Sequence, residues 1–233
     1  MPPMPPALPA LPGSAYYIPD FISEADEALL LQHIFAAPAE RWSLGRGRRT
    51  QNYGGVPGQC KITEELPPWL LQLVDGLVRG GAWPLAEDGV AHAPNHVIIN
   101  DYSDGRLGLT PHSDGPMYAP RVAVLSLLWD GVLELHRPCD EAVRCETPTR
   151  LARMLLRRRS LNVLDADAYH LFHGIPEGEA DAVSSETGSE HFVLNHSVAG
   201  LAPGSSEVQS IPRSRRVSIV FVCKPVGWAQ RPS

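Results

Sequence analysis

His112 and Asp114 stand two residues apart in Thr110-Pro111-His112-Ser113-Asp114-Gly115, and His173 follows far downstream in Leu171-Phe172-His173-Gly174-Ile175. In extended chain, residues i and i+2 point to one side, so one strand end can offer an imidazole and a carboxylate to the same ion. A second imidazole from another strand completes two nitrogens and one oxygen on one side of a metal. That set holds a non-haem ferrous ion and leaves its other coordination positions open for oxygen chemistry. His112, Asp114 and His173 are therefore the candidate metal ligands and catalytic centre. Taken alone, His-x-Asp is a weak pattern that any surface turn can produce.

Its neighbours strengthen it. Asn100 and Tyr102 sit on one face of an apolar strand just upstream, and Arg216 and Ser218 share a face of the last strand. An arginine or a tyrosine hydroxyl is what the far carboxylate of a dicarboxylate cosubstrate needs, as a charge-assisted partner. Singly, each has a bland reading: a strand-end arginine, a turn-entry asparagine, a half-buried core tyrosine. The ordered set is harder to dismiss. The other histidines read as non-ligands. His170, three residues before His173, would face the opposite way along a strand. His136 stands at a strand end two residues before Pro138, His191 and His196 lie in a polar stretch, and His92 and His96 flank the start of the Asn95 strand.

The elements that must position these groups are short. Ser23 is a plausible N-cap for a helix reaching about Ala36, with Glu24, Asp26 and Glu27 in its first turn. Pro67-Pro68 opens a second helix, from Trp69 to about Val78. Trp42 to Tyr53 reads as strand–turn–strand, and Asn95 to Tyr102 as a strong strand. Val122–Trp129 and Gly131–Leu135 read as a hairpin around Asp130-Gly131, a favoured turn pair. Met154–Leu156, Ser160–Leu164 and Val217–Val222 are further strands. Residues 1–14 are Pro-rich and expected to be disordered, and 176–212, rich in Gly, Ser, Glu and Pro, to be a flexible insertion. Helices first and many short strands after suggest an α+β fold with a β-sandwich or jelly-roll core.

The 233 residues suit one such core. Net charge is −6, with 43% hydrophobic and 20% charged residues, 23 prolines and 20 glycines. Bulk charge does not favour nucleic acid. Local patches could: Arg46, Arg48 and Arg49 near the start, or Arg153 with Arg157, Arg158 and Arg159, although each alone reads as a solvated surface run. The four cysteines, Cys60, Cys139, Cys145 and Cys223, form no C-x-x-C pair, and a reduced intracellular setting is expected. There is no apolar run long enough for a membrane span and no signal-peptide pattern.

The order Asn-x-Tyr, His-x-Asp, His-Gly-Ile, Arg-Val-Ser resembles the AlkB-type Fe(II)/2-oxoglutarate dioxygenases, most of all a eukaryotic branch of that family. Tyr16-Tyr17-Ile18-Pro19-Asp20-Phe21-Ile22, Gln51-Asn52-Tyr53-Gly54-Gly55, Leu66-Pro67-Pro68-Trp69-Leu70 and Pro111-His112-x-Asp114-Gly115-Pro116 extend the likeness. It covers roughly residues 16–175 and 213–225. The resemblance implies a double-stranded β-helix core over 95–226, preceded over 15–94 by flanking helices and a nucleotide-recognition lid. It implies Fe(II) as the metal, 2-oxoglutarate and O2 as cosubstrates, and hydroxylation of a C–H bond, which on an N-methyl group releases formaldehyde. By that match His112, Asp114 and His173 hold iron, while Asn100, Tyr102, Arg216 and Ser218 hold 2-oxoglutarate. The family's second arginine, six residues after the first, is replaced by Val222, and Lys224 is the candidate substitute.

The expected substrate is modified RNA or DNA, presented flipped or single-stranded. Arg46, Arg48 and Arg49 would meet phosphates, and Trp42 and Tyr53 would stack. A monomer in cytoplasm and nucleus is expected. Two other readings share the scaffold: an oxygenase acting on a protein or small molecule, and a weakly catalytic binding module.

Overall fold

The computed structural model describes residues 5–9, 11–45, 47–84, 93–138 and 149–225. Arg46, His92, Cys139 and Cys145 lie outside the described residues, as do parts of the 1–14 segment. The described part of that segment is not free: Leu8 donates its amide to the Ala15 carbonyl, and Leu8 and Leu11 pack against the core.

Two sheets form the body. The strands of the larger run in the order β1 (Ser14–Ile18), β9 (Leu161–Asp165), β6 (Arg121–Leu127), β13 (Arg216–Val222), β4 (His96–Tyr102), β3 (Arg48–Tyr53) and β2 (Ser43–Gly45). The smaller runs β5 (Leu109–His112), β10 (Phe172–Ile175), β7 (Gly131–His136) and β8 (Arg150–Leu156). Every pairing is antiparallel. From β4 onward the chain crosses repeatedly between the four central strands of the large sheet and the small sheet. That is a jelly-roll core.

Side-chain alternation builds two cores on the two faces of the large sheet. Ala123, Leu125 and Leu127 of β6, Leu161 and Val163 of β9, and Val217, Ile219 and Phe221 of β13 pack outward. Against them lie two helices, α1 (Glu24–Phe35) and α2 (Pro68–Arg79). Ser23 caps α1 as the sequence predicts: its hydroxyl accepts from the Asp26 amide at 3.1 Å, and Asp26 Oδ2 accepts from the Ser23 amide at 3.1 Å. Leu30 and Ile34 of α1, and Leu70, Val74 and Leu77 of α2, are buried in this outer core. The opposite faces, with Val122, Leu164 and Val222, meet Val132, Leu133, Leu135, Met154 and Leu155 of the small sheet in an inner core.

Three expectations need correction. The segment Val122–Leu135 is not a hairpin: β6 pairs with β9 and β13, whereas β7 pairs with β10 and β8. Leu128, at φ +72°, turns the chain from one sheet to the other. Asp130 binds the Arg157 guanidinium and the Arg158 amide. Residues 176–212 are built into the fold. They carry β11 (Ala180–Val183) and β12 (Gln209–Pro212), a two-stranded sheet of their own. Val193, Ala199 and Leu201 reach the inner core, and the fully buried Asn195 side chain bonds both the Leu155 amide and carbonyl at 2.8 Å. The second arginine group is not a solvated patch either. Arg158 and Arg159 both meet the buried Glu27 carboxylate, and Arg153 is itself buried, donating to the Ala182 carbonyl.

Candidate active site

The inner core is incomplete at one end, where a cavity of about 120 Å³ opens between the sheets. His112, Asp114 and His173 line one wall, on or beside the small sheet. Asn100, Tyr102, Arg216 and Ser218 line the other, on the large sheet. Apolar Val122, Val124, Leu133, Leu156, Leu164 and Val220 close the inner end.

Strand pairing brings the histidines together. His173 on β10 lies directly opposite His112 on β5, and their ring centroids are 4.6 Å apart. Close approach of these strands requires Gly174: a Cβ there would stand 2.7 Å from the Leu109 carbonyl oxygen and 2.9 Å from the Pro111 nitrogen. The chain then turns past Asp114 through Gly115 at φ +88°, a conformation that suits glycine, and the Tyr169 hydroxyl donates to the Gly115 carbonyl at 2.8 Å. Asp114 Oδ1 thereby sits 3.8 Å from His173 Nε2. One ligating atom from each of His112, Asp114 and His173 falls within 4.8 Å of the others.

The chemistry of these groups fits a cation. His112 Nδ1 is 2.9 Å from the Thr110 carbonyl, which can only accept, so in the neutral ring Nδ1 carries the proton and Nε2 the lone pair. Burial is the largest influence on His173 and lowers its pKa, with the His112 ring adding to this against the opposing pull of Asp114. A neutral imidazole is the ligating form. Asp114 Oδ2 is buried with no hydrogen-bond partner among the described residues, which a bound ion would satisfy. The donor set of two imidazoles and a carboxylate suits Fe(II).

The facing wall fits an anion. Arg216 is 4% exposed, and its Nη2 donates to Ser126 Oγ at 3.0 Å. Its Nε has no partner, and no carboxylate among the described residues lies within ion-pair distance. Burial lowers its pKa against the opposing influence of Tyr102 and Asp181. Asn100 Nδ2 donates to Ser218 Oγ at 3.3 Å across the β4–β13 pairing, and Arg48 Nη1 is 3.5 Å from Tyr102 Oη at the mouth.

Not every residue singled out in the sequence reaches the cavity. Lys224 does not: β13 ends at Val222, and beyond it the ammonium turns away and donates to the Val56 carbonyl at 2.6 Å. Val222 packs into the inner core. Tyr53 is buried in the outer core, its hydroxyl donating to Gln51 Oε1 at 3.0 Å, and cannot stack on a base. Trp42 and Arg49 lie together on the outer face, with the guanidinium carbon 4.0 Å over the indole. Sequence reasoning missed Asn162, which lines the cavity, and Ser126, the partner of Arg216. Asn162 had a signal, since it is the lone polar residue inside Leu161-Asn162-Val163-Leu164. Asp101 was also missed; it is fully buried and binds both Arg49 and Arg215.

No protein-family model matches the chain. A Danio rerio protein described as "Probable RNA/DNA demethylase ALKBH6" is 37% identical over 216 residues, covering 90% of this chain and 85% of that protein. The Xenopus tropicalis "tRNA (carboxymethyluridine(34)-5-O)-methyltransferase alkbh8" is 24% identical over 225 residues, covering 91% of this chain but 32% of that larger protein. Among solved structures, that of OsALKBH1 matches the fold with a TM-score of 0.56 at 13% identity, over 91% of this chain and 99% of its own. The extent of the first of these likenesses makes this chain a member of the AlkB-type Fe(II)/2-oxoglutarate-dependent dioxygenase family.

Proposed function

We propose that this dioxygenase uses Fe(II), 2-oxoglutarate and O2 to demethylate alkylated or methylated nucleic acid, RNA or DNA. The observation that carries the reading is one cavity in which His112, Asp114 and His173 face a buried Arg216 that has no carboxylate partner among the described residues. The Danio rerio relative, described as an RNA/DNA demethylase, supports the choice of substrate.

Bound iron supplies O2 activation coupled to the oxidation of 2-oxoglutarate to succinate and carbon dioxide. The protein's own groups hold and shield. Arg216 neutralises and orients the far carboxylate of 2-oxoglutarate through its unused guanidinium donors. Asn100, Tyr102 and Ser218 offer neutral hydrogen-bonding groups along the same wall. The valines and leucines at the inner end exclude water, which strengthens these polar contacts and limits side reactions. The His112 bond to Thr110 fixes ring orientation, and Gly174 sets the spacing of the two imidazoles. Arg48 stands at the mouth, where a second groove is lined by Gly45, Leu107, Thr110, His112 and Glu177. A methylated base entering there would bring its N-methyl carbon toward the metal ligands; hydroxylation of that carbon releases formaldehyde.

The test is to follow succinate and formaldehyde with methylated oligonucleotides, Fe(II) and 2-oxoglutarate. His112→Ala is expected to abolish both products. Wild-type turnover by that variant would overturn the metal site. Succinate without formaldehyde from every methylated strand would overturn the substrate.

A further inference from the structure

The outer face of the large sheet carries a second feature at the same end as the cavity. Asn100 and Tyr102 point into the cavity, so Asp101 between them points outward. Its buried carboxylate accepts from Arg49 Nε at 2.8 Å, and from Arg215 Nε at 2.9 Å and Nη2 at 2.7 Å. Two guanidinium groups share one carboxylate, which leaves the trio with a net positive charge. Each guanidinium carbon also lies over a ring: that of Arg49 is 4.0 Å from the Trp42 centroid, and that of Arg215 is 4.4 Å from the Phe35 centroid. The two rings are nearly parallel, 16° apart in plane, with centroids 6.5 Å apart.

The assembly is not buried. Phe35 is 38% exposed, and the Arg49 and Arg215 side chains are 37% and 42% exposed. Among the described residues Arg49 meets Asp101 through Nε, so its terminal nitrogens remain for another acceptor. The neighbouring Arg48 lines the cavity, so adjacent arginines straddle the sheet rim, one on each face.

Aromatic rings and guanidinium groups in contact on a positive, exposed surface fit the two components of a single strand, π-faced bases and a phosphate backbone. We infer that Phe35, Trp42, Arg49 and Arg215 form an outer track for single-stranded nucleic acid, carrying unmodified nucleotides that flank a base delivered over the rim to the cavity. This rests on the nucleic-acid substrate proposed above and adds where the rest of the strand lies.

The test is fluorescence anisotropy of the full chain with an unmodified, labelled single strand of about 12 nucleotides, within the usual site size of such surfaces. Phe35→Ala is expected to weaken binding by about fivefold or more, the weak end of what losing one base–aromatic stack costs. Phe35→Trp should restore it, and unchanged thermal melting of both variants guards against misfolding. Arg215→Gln should make the log–log salt dependence shallower by about 0.7, the loss of one phosphate contact. Absence of wild-type binding, equal binding by Phe35→Ala, or a Phe35-dependent dimer with unchanged strand affinity would each overturn the track. An unmodified strand has no methyl group to lose, so its binding is read apart from turnover. Loss of strand binding in Phe35→Ala without demethylation by the wild type would sink the proposed reaction and leave the track standing.

Discussion

Arg216→Met separates what this residue does for the site from what it does to the fold. Among the described residues the buried Arg216 has a neutral hydrogen bond to Ser126 and no carboxylate to pair with. Asp181, whose charge acts on it, is committed to Arg213 in a buried ion pair. Removing a charge of this kind from water costs several kcal/mol after relaxation, and one hydroxyl returns only part of that. Methionine fills similar length without the charge. By analogy with buried ion groups replaced by apolar ones, the ligand-free variant should gain about 1–4 kcal/mol. For a chain of this size that raises the melting temperature by about 2 °C at least, and up to roughly 16 °C. Cosubstrate reverses the order of benefit. At about 100 times its dissociation constant, 2-oxoglutarate should add about 2.7 kcal/mol to the wild type. The variant, short of a buried charge partner worth about 2–5 kcal/mol, should bind roughly 30- to 5,000-fold more weakly and keep at most about 0.9 kcal/mol of that stabilisation. Scanning calorimetry with and without 2-oxoglutarate reads both effects. A variant that melts more than about 5 °C below the wild type, or that keeps the full cosubstrate shift, would refute the reasoning.

Three further outcomes follow from other contacts. Gly174→Ala should force β10 away from β5 and lower Fe(II) affinity by about 10-fold or more, as misplacing ligand support does; unchanged iron binding in a titration would contradict it. His96 is fully buried against Tyr118, and burial, helped by the Lys224 charge, holds its pKa down at about 4. Between about 6.5 and about 4 the unfolded chain binds a proton that the fold refuses, so stability should fall as pH drops through that window, by at most about 1.4 kcal/mol per unit, and level off below it. Denaturant unfolding of His96→Gln should lack this slope, and identical slopes would exclude His96 as its source. Glu27, 1% exposed, accepts from the Leu128 amide and Arg158 Nε, both at 2.7 Å. Its replacement by alanine should cost about 3 kcal/mol, read as a lower urea midpoint, because a backbone donor and two cations lose their partner together.

What could be read in the sequence was what local chemistry decides. Ser23 with Asp26 marks the start of α1, and alternating apolar residues mark β4 and β13 and assign Asn100, Tyr102, Arg216 and Ser218 to one face. The misreadings share a cause: a local signal was extended past the point where tertiary contacts take over. Asp130-Gly131 has hairpin chemistry, but Asp130 is spent on Arg157 and Arg158 and the flanking strands enter different sheets. Two-residue periodicity would set Lys224 on the face of Arg216, but β13 ends two residues earlier, at Val222. The polar composition of 176–212 hid Asn195, whose buried amide replaces a missing strand partner for Leu155. Asp101 was beyond reach because its partners, Arg49 and Arg215, are 52 and 114 residues away in sequence.

The candidate metal ligands belong to the small sheet and the loop after β5, while the candidate anion-holding residues belong to β4 and β13 of the large one. The two half-sites thus hang on separate hydrogen-bonded sheets. Iron affinity and cosubstrate affinity can consequently drift apart in descent, since the residues that set each belong to different sheets. A molecule gripped by both would act as a rivet through the sandwich, and its release would be the moment at which the two sheets are freest to part.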